Sequence, residues 1–417
     1  MARVVKLIMT STSNNNKYYT MTDNENDTFT AEYGRVGSNP QTKTYPMHKW
    51  DSTIKAKTKK GYEDLTELFI VESNTDGTTT KRKAVFKDFL PSRTPLVVEI
   101  VKKLQGWAKG SIAENYNVTS EEVSQKQIDY AQNILNELVA YNLTKDNIDE
   151  FNQLLLKFFA VVPRKMKQVR DHLVNSDSDL QEQKNNIITS EQDTLDVMAG
   201  QVSLNTASSQ DIDDETEQEL ETDIIKSSGL DLKEVTEQSV IDTIKKLMAD
   251  NSHKFKQAYE VVNNTTQEKY NSNFKLAKNK KEELFWHGSR NENWWSIITT
   301  GLLIRPSNAV HSGSMFGDGI YFADKFQKSF GYTSGRGSYF ANGSQSEAVL
   351  ALYSVHVGEQ KHIKRHDSSC YKLSNSILSK DGYDSVFAEG GIDLRNNEYI
   401  VYKSEQSTIK YLVIVNA

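Results

Sequence analysis

The sequence predicts a multidomain α+β protein: a small α+β domain, an all-α helical bundle and a sheet-rich α+β domain. Three observations predict it. Residues 1–88 alternate strand-length runs with turns rich in Asn, Ser, Thr and Asp. Residues 92–202 carry apolar stripes at helical spacing, and from 218 to 417 strand-like runs dominate. Between the last two, residues 203–217 are Ser/Thr/Asn-rich and then acidic, with Asp211, Asp213, Asp214, Glu215 and Glu217 close together. That composition cannot bury enough surface to fold alone and reads as a linker.

The totals agree with several domains. A chain of 417 residues with 37% hydrophobic content supports ordinary globular cores. The net charge of −6 gives no global case for nucleic-acid binding, so any basic surface must be local. Cys370 is the only cysteine, which excludes an intrachain disulfide framework and any multi-cysteine zinc site; no metal is expected. No apolar run reaches membrane-spanning length, and residues 1–10 lack the pattern of a signal peptide. No membrane partner is expected, and the compartment is expected to be nuclear in a eukaryote and cytoplasmic otherwise.

In the first domain, strands are expected at 4–9, 17–22, 29–36 and 43–47, followed by a helix over 50–69. A local basic surface lies here: Arg35, Lys43, Lys49, Lys55, Lys57, Lys59 and Lys60, interleaved with Tyr33, Tyr45 and Trp50. Lysines with aromatics suit a phosphate backbone and a base or sugar to stack on, while charge alone equally describes a solvated helix face. The segment Tyr33-Gly34-Arg35-Val36-Gly37 resembles the core of the WGR domain, with Tyr33 standing where that family usually has Trp. The resemblance implies that residues 1–88 bind DNA ends, with Tyr33, Gly34 and Arg35 contacting DNA or relaying its binding onward.

Next, the basic triplet Lys81, Lys83 and Arg82 reads as part of a solvated connector. Thr94 caps a helix opened by Pro95, with Leu96, Val97, Ile100, Val101 and Leu104 on one face. Ile128, Ala131, Leu135 and Leu138 mark a second helix; Phe151, Leu154, Leu155, Phe158 and Val162 mark a third, stopped by Pro163. A last helix is expected from a Ser190 cap to about Val202. Such stripes by themselves indicate packing. Residues 127–135 and 158–163 also resemble the regulatory helical domain of DNA-activated poly(ADP-ribose) polymerases. That resemblance makes the last helix, with Asp193 and Asp196 but Gly200 in place of a third acid, a gate over an NAD site.

In residues 218–417, strands are expected at 255–261, 348–357, 398–402 and 410–415, and a helix over 291–301 ended by Gly301. Leu284, Phe285 and Trp286 run into His287, Gly288, Ser289 and Arg290, a buried strand ending in a polar cluster. Singly, each polar group has a structural explanation: His287 a satisfied core histidine, Ser289 a turn residue, Tyr321 a packed aromatic, Glu398 a strand-edge charge. In order, His287-Gly288-Ser289, Gly319-Ile320-Tyr321-Phe322-Ala323 and Asn397-Glu398-Tyr399 resemble the His-Tyr-Glu signature of poly(ADP-ribose) polymerase catalytic domains.

The resemblance implies NAD as co-substrate. Gly288 would bond the nicotinamide amide through its backbone and Ser329 through its hydroxyl. Tyr332 and Tyr321 would sandwich the ring, and His287 and Ser289 would orient the adenosine ribose. Asn293 and Lys328 are further binding candidates, and Arg305 and His311 lie in the loop beside the site. Glu398 would bond the ribose 2′-hydroxyl and polarise the acceptor hydroxyl; with His287 and Tyr321 it forms the catalytic set. The chemistry suits these residue types, because breaking the nicotinamide–ribose bond builds positive charge on the anomeric carbon.

The implied function is a poly(ADP-ribose) polymerase stimulated by DNA breaks, acting on protein acceptors, itself included, and on growing chains. Two alternatives stay open: a DNA-independent mono-ADP-ribosyltransferase, and a DNA-end-binding scaffold with weak NAD hydrolase activity.

Overall fold

In the first half of the chain, alternating apolar residues build an antiparallel meander: β1 (Val4–Ser11), β2 (Asn15–Asp23), β3 (Thr28–Arg35) and β4 (Gln41–Pro46). With β5 (Glu63–Asp64) they form a five-stranded sheet in the order β4-β3-β2-β1-β5. The computed structural model describes residues 3–69, 85–117, 123–175, 179–209, 221–304 and 315–417. The predicted linker carboxylates Asp211 to Glu217, the triplet at 81–83, and Arg305 and His311 lie outside the described residues.

Leu7, Met21, Phe29 and Ala31 alternate inward along these strands and pack with Trp50 at the start of α1 (Trp50–Thr58). This corrects two expectations. Trp50 is only 2% exposed and sits edge-on to Phe29 at 5.2 Å, so it is core and not a stacking surface for bases. The predicted 50–69 helix stops at Thr58, because Gly61 adopts φ +89 and turns the chain into β5 and a 3-10 turn, Thr66–Phe69.

Four helices follow: α2 (Pro95–Asn115), α3 (Gln125–Ala140), α4 (Ile148–Val161) and α5 (Leu180–Ser209). Thr94 Oγ1 accepts from the Val97 N–H at 3.3 Å, the cap expected before Pro95. The last helix starts earlier than the sequence predicts. Asp179 Oδ1 accepts from the N–H groups of Gln181 and Glu182 at 2.8 and 3.0 Å, whereas Ser190 is interior, its carbonyl taking the Thr194 hydroxyl. The same helix runs through Ser209, into the stretch expected to be linker. Contacts divide the chain into two units, one containing Met1–Asp76 and Lys109–Val202, the other Gly77–Ala108, Ser203–Ser307 and Gly313–Ala417.

The second unit opens with a short parallel pair, β6 (Val85–Phe86) with β7 (Glu221–Thr222), and one helical turn, α6 (Ile224–Ser227). Then come β8 (Leu230–Glu234), α7 (Gln238–Met248), β9 (Phe255–Asn263), α8 (Asn264–Leu276), β10 (Glu282–Gly288) and α9 (Trp294–Thr300). The chain continues through β11 (Ile320–Phe322), α10 (Phe326–Phe330), β12 (Glu347–His356), β13 (Gln360–Ile363), α11 (Asn375–Lys380), β14 (Ser385–Ala388), β15 (Glu398–Val401) and β16 (Ser407–Asn416). This unit is more helical than predicted: α7 carries Val240, Ile241, Ile244, Leu247 and Met248 at helical spacing, a stripe the sequence reading passed over, whereas α8 has few apolar residues, of which Tyr270 is buried.

Two sheets result, ordered β10-β12-β16-β9-β8 and β11-β15-β14-β13. The central strands β12 and β16 read as near-continuous apolar runs because most of their residues are buried. A bridge joins the sheets: the Trp286 N–H donates to the Ala323 carbonyl at 2.8 Å, and the Ala323 N–H to the Trp286 carbonyl at 3.0 Å. This bridge brings the end of β10 beside the end of β11.

Candidate active site

Because β10 and β11 meet at Trp286 and Ala323, the next residue of β10 faces the β11 backbone. His287 Nδ1 lies 3.1 Å from the Tyr321 carbonyl oxygen. A carbonyl only accepts, so Nδ1 carries the proton and Nε2 is left as an acceptor. The rings of Trp294, Phe322 and Tyr353 stand at 6.3, 5.8 and 6.0 Å from the imidazole. Burial among them pushes its pKa down to about 4, against the opposing pull of the Tyr321 carbonyl, so His287 is neutral at pH 7.

Gly288 has a steric reason to be glycine. A Cβ there would sit 1.9 Å from the Ser329 carbonyl oxygen, so the main chain of β10 lies directly on the backbone of α10. Ser329 itself is buried. One residue on, Ser289 Oγ accepts from Asn293 Nδ2 at 3.0 Å, while Asn293 Oδ1 is buried without a partner among the described residues. Asn291, absent from the sequence-based set, is a structural clamp: its side chain donates to the Glu347 carbonyl and accepts from the Val349 N–H.

The predicted 291–301 helix is a 3-10 turn, Asn291–Asn293, continued by α9 and closed by Gly301 at φ +84. Tyr321 projects from β11 with its hydroxyl donating to the Gly317 carbonyl at 2.8 Å and accepting from the Phe316 N–H at 3.0 Å. Its position is therefore fixed by the loop ahead of the strand. Burial first, and Glu398 among nearby groups, raises the Tyr321 and Tyr332 hydroxyls, Tyr332 to about 12.

Glu398 opens β15 and is 7% exposed. Its Oε1 is paired with Lys328 Nζ from α10; its Oε2 is buried with no partner among the described residues. Burial lowers the Lys328 pKa, and the Glu398 charge opposes that. Thus His287, Gly288, Tyr321, Lys328, Ser329, Tyr332 and Glu398 gather where β10, β11, α10 and β15 meet.

Asp324 was missed by sequence reasoning. Its Oδ2 accepts from Asn397 Nδ2 at 2.8 Å and from the Tyr399 hydroxyl at 3.4 Å, the residues on either side of Glu398. The usable signal was a carboxylate placed directly after a strand that already carries Tyr321.

In the first unit, Arg35 donates to the Met166 carbonyl from Nε and Nη2 at 3.2 and 2.9 Å, and to the Lys167 carbonyl at 2.8 Å. It also holds the Asn14 carbonyl at 2.9 Å. Tyr33 stacks on Tyr19 at 5.3 Å, and Lys57 Nζ sits 3.6 Å over Tyr19 with Tyr33 and Tyr62 nearby. Tyr33 and Lys57 are thus engaged with each other and the sheet. Gly34 has a negative φ and room for a Cβ, so sterics do not require glycine there. Lys43, Lys49, Lys55, Lys59 and Lys60 remain exposed.

A buried carboxylate with one oxygen unpartnered among the described residues, in the same cluster of strands as a neutral histidine and close-packed glycine backbone, suits stabilisation of a developing cation, as in glycosyl transfer. Comparison with known proteins gives the same class. A family profile described as poly(ADP-ribose) polymerase catalytic domain matches residues 236–417, and one described as WGR domain matches residues 5–68. The chain is an NAD+ ADP-ribosyltransferase.

Among its relatives is a putative poly [ADP-ribose] polymerase-like protein, 100L, of Invertebrate iridescent virus 6, 35% identical over 177 residues, 42% of this chain and 90% of that protein. A second protein of that virus, 101L, is 34% identical over 202 residues, covering 48% of this chain and 78% of its own length. Poly [ADP-ribose] polymerase 2 of Zea mays is 32% identical over 165 residues, 34% of this chain and 24% of the maize protein. The chain belongs to the poly(ADP-ribose) polymerase family.

Proposed function

We propose that the chain is a poly(ADP-ribose) polymerase stimulated by DNA breaks, transferring ADP-ribose from NAD to protein acceptors, itself among them, and to growing chains. The observation that carries the catalytic half is Glu398, with one oxygen held by Lys328 and the other buried and unpartnered among the described residues. A buried acceptor without a donor is costly unless function supplies one, and a ribose 2′-hydroxyl would do so.

In this reading the Gly288 backbone and Ser329 grip the carboxamide, Tyr332 and Tyr321 flank the ring, and Lys328 fixes the Glu398 carboxylate. His287 Nε2 accepts from an adenosine-ribose hydroxyl, and Ser289 and Asn293 border the same ribose. The bond from the anomeric carbon to nicotinamide nitrogen breaks with its electron pair leaving on nicotinamide. The acceptor oxygen then bonds that carbon and loses its proton, drawn by Glu398.

The regulatory half rests on residues 5–68 and on Arg35. DNA would engage the exposed lysines, and Arg35 would pass that event to residues 166–167. The helices from α2 to α5 would act as a regulatory helical domain, and α5 as a gate. Labelled NAD supplied with and without broken duplex DNA tests it. Polymer formation rising strongly with DNA, and losing that rise in Arg35→Ala, is the expected result; activity indifferent to DNA in both proteins overturns the regulatory reading.

A further inference from the structure

Tyr332, which the proposed function places against nicotinamide, has a ring already seated on one of its faces. Phe340 lies parallel to it, with centroids 4.5 Å apart and planes 19° apart. The loop that brings Phe340 there is closely tied. The N–H groups of Phe340 and Ala341 both donate to the Gly331 carbonyl, at 2.8 and 3.1 Å. Gln345 N–H donates to the Ser334 carbonyl and Arg336 N–H to the Gln345 carbonyl, at 2.9 and 2.8 Å, and Gly343 N–H donates to Ser338 Oγ at 2.7 Å. Gly331 allows the close approach: a Cβ there would sit 3.0 Å from the Phe340 ring, a tight contact that would press the ring away. Yet Phe340 is 56% exposed and Tyr339, edge-on to it at 5.1 Å, is 80% exposed. Core packing alone does not account for a tethered loop whose two large rings face water.

We propose that Phe340 is a positioning residue for the nicotinamide subsite: it occupies one face of Tyr332, fixes that ring's orientation and leaves the opposite face as the single stacking platform for an incoming flat ring. The inference rests on the reading of Tyr332 as the stacking residue. Its physical basis is the preference of aromatic pairs for offset-parallel arrangements and the value of a ring oriented before the ligand arrives. Nothing in it involves the adenosine side, where His287 and Ser289 are held by other elements.

The test uses the full chain with broken duplex DNA present and measures the KM for NAD and the inhibition constants of nicotinamide and of ADP-ribose. Phe340→Leu and Phe340→Thr are expected to weaken nicotinamide about three- to tenfold, with ADP-ribose unchanged. Phe340→Tyr, which keeps a flat ring, is expected to restore the wild-type value. Being half exposed, the position admits these changes without unfolding, which a matching Tm checks. Tyr332→Leu is measured in parallel. If it weakens nicotinamide while both Phe340 variants do not, the inference is wrong and the stacking reading stands. Equal weakening of nicotinamide and ADP-ribose, or no restoration by Phe340→Tyr, also overturns the inference. An unchanged nicotinamide constant in Tyr332→Leu overturns both.

Discussion

Lys328 and Glu398 form an ion pair whose side chains are 12% and 9% exposed, and the lysine comes from α10 while the glutamate opens β15. Removing one member of a buried pair strands the other charge, typically at a cost of about 3–5 kcal/mol. Lys328→Ala is therefore expected to lower Tm and to reduce kcat more than it raises the KM for NAD. Lys328→Arg, which keeps the charge on a different frame, should recover part of the kcat. Steady-state kinetics beside thermal melts checks this; an unchanged kcat in Lys328→Ala would show that the pair does not orient the carboxylate.

Asp324 holds the two residues that flank this carboxylate, accepting from Asn397 Nδ2 and from the Tyr399 hydroxyl. Tyr399 is held besides by stacking on Phe285 at 4.0 Å and on Phe387 at 5.0 Å, so its ring should stay in place when Asp324 is removed. Asp324→Ala is expected to let the start of β15 drift and to cut kcat by up to about a hundredfold, the scale of a misplacement near 1 Å. Asp324→Asn retains an acceptor and should lose much less. Comparable kcat values for the two variants would contradict this account.

His287 ties pH to stability. Its pKa falls from the ordinary 6.5 to about 4 on folding, mainly through burial. Between those values the unfolded chain binds more protons than the folded one, so stability rises with pH. The His287 contribution is complete above about 6.5, declines as pH falls toward 4, and changes no further below that. His287→Gln should therefore show a shallower loss of stability than wild type over this window in chemical denaturation at stepped pH. Parallel curves would place the titration elsewhere.

Arg35 bonds two consecutive carbonyls beyond α4, at Met166 and Lys167. Hydrogen bonds involving a charged group are worth about 1.5–3 kcal/mol. Arg35→Ala should lower the melting temperature of the first unit and weaken the response to DNA more than DNA binding itself. Fluorescence-anisotropy titration with a labelled DNA duplex alongside the NAD assay separates the two; equal losses in both would make Arg35 a plain DNA contact.

Much of this was legible in the sequence. The strands of the meander, the Thr94 cap and the strands bearing His287, Tyr321 and Glu398 follow from alternation, capping chemistry and apolar runs. What failed was set by local geometry or tertiary partners. Gly61 ends a helix that periodicity extended to residue 69, and Asp179 captures the cap assigned to Ser190. Trp50 looked available for stacking until Phe29 and the sheet enclosed it. The partners Asp324–Asn397 and Phe340–Tyr332 are invisible in one dimension, because each joins residues from different turns of the chain and neither residue type is unusual where it stands.

In the proposed function Glu398 is the carboxylate that drives NAD cleavage and chain growth. Wild type and Glu398→Gln are compared with labelled NAD and broken duplex DNA, reading both nicotinamide release and product length on a gel. Glutamine keeps the shape but removes the charge that meets the developing cation. Long polymer is expected from wild type, and from the variant a large loss of nicotinamide release with at most single ADP-ribose units attached. Polymer of wild-type length from Glu398→Gln would contradict it.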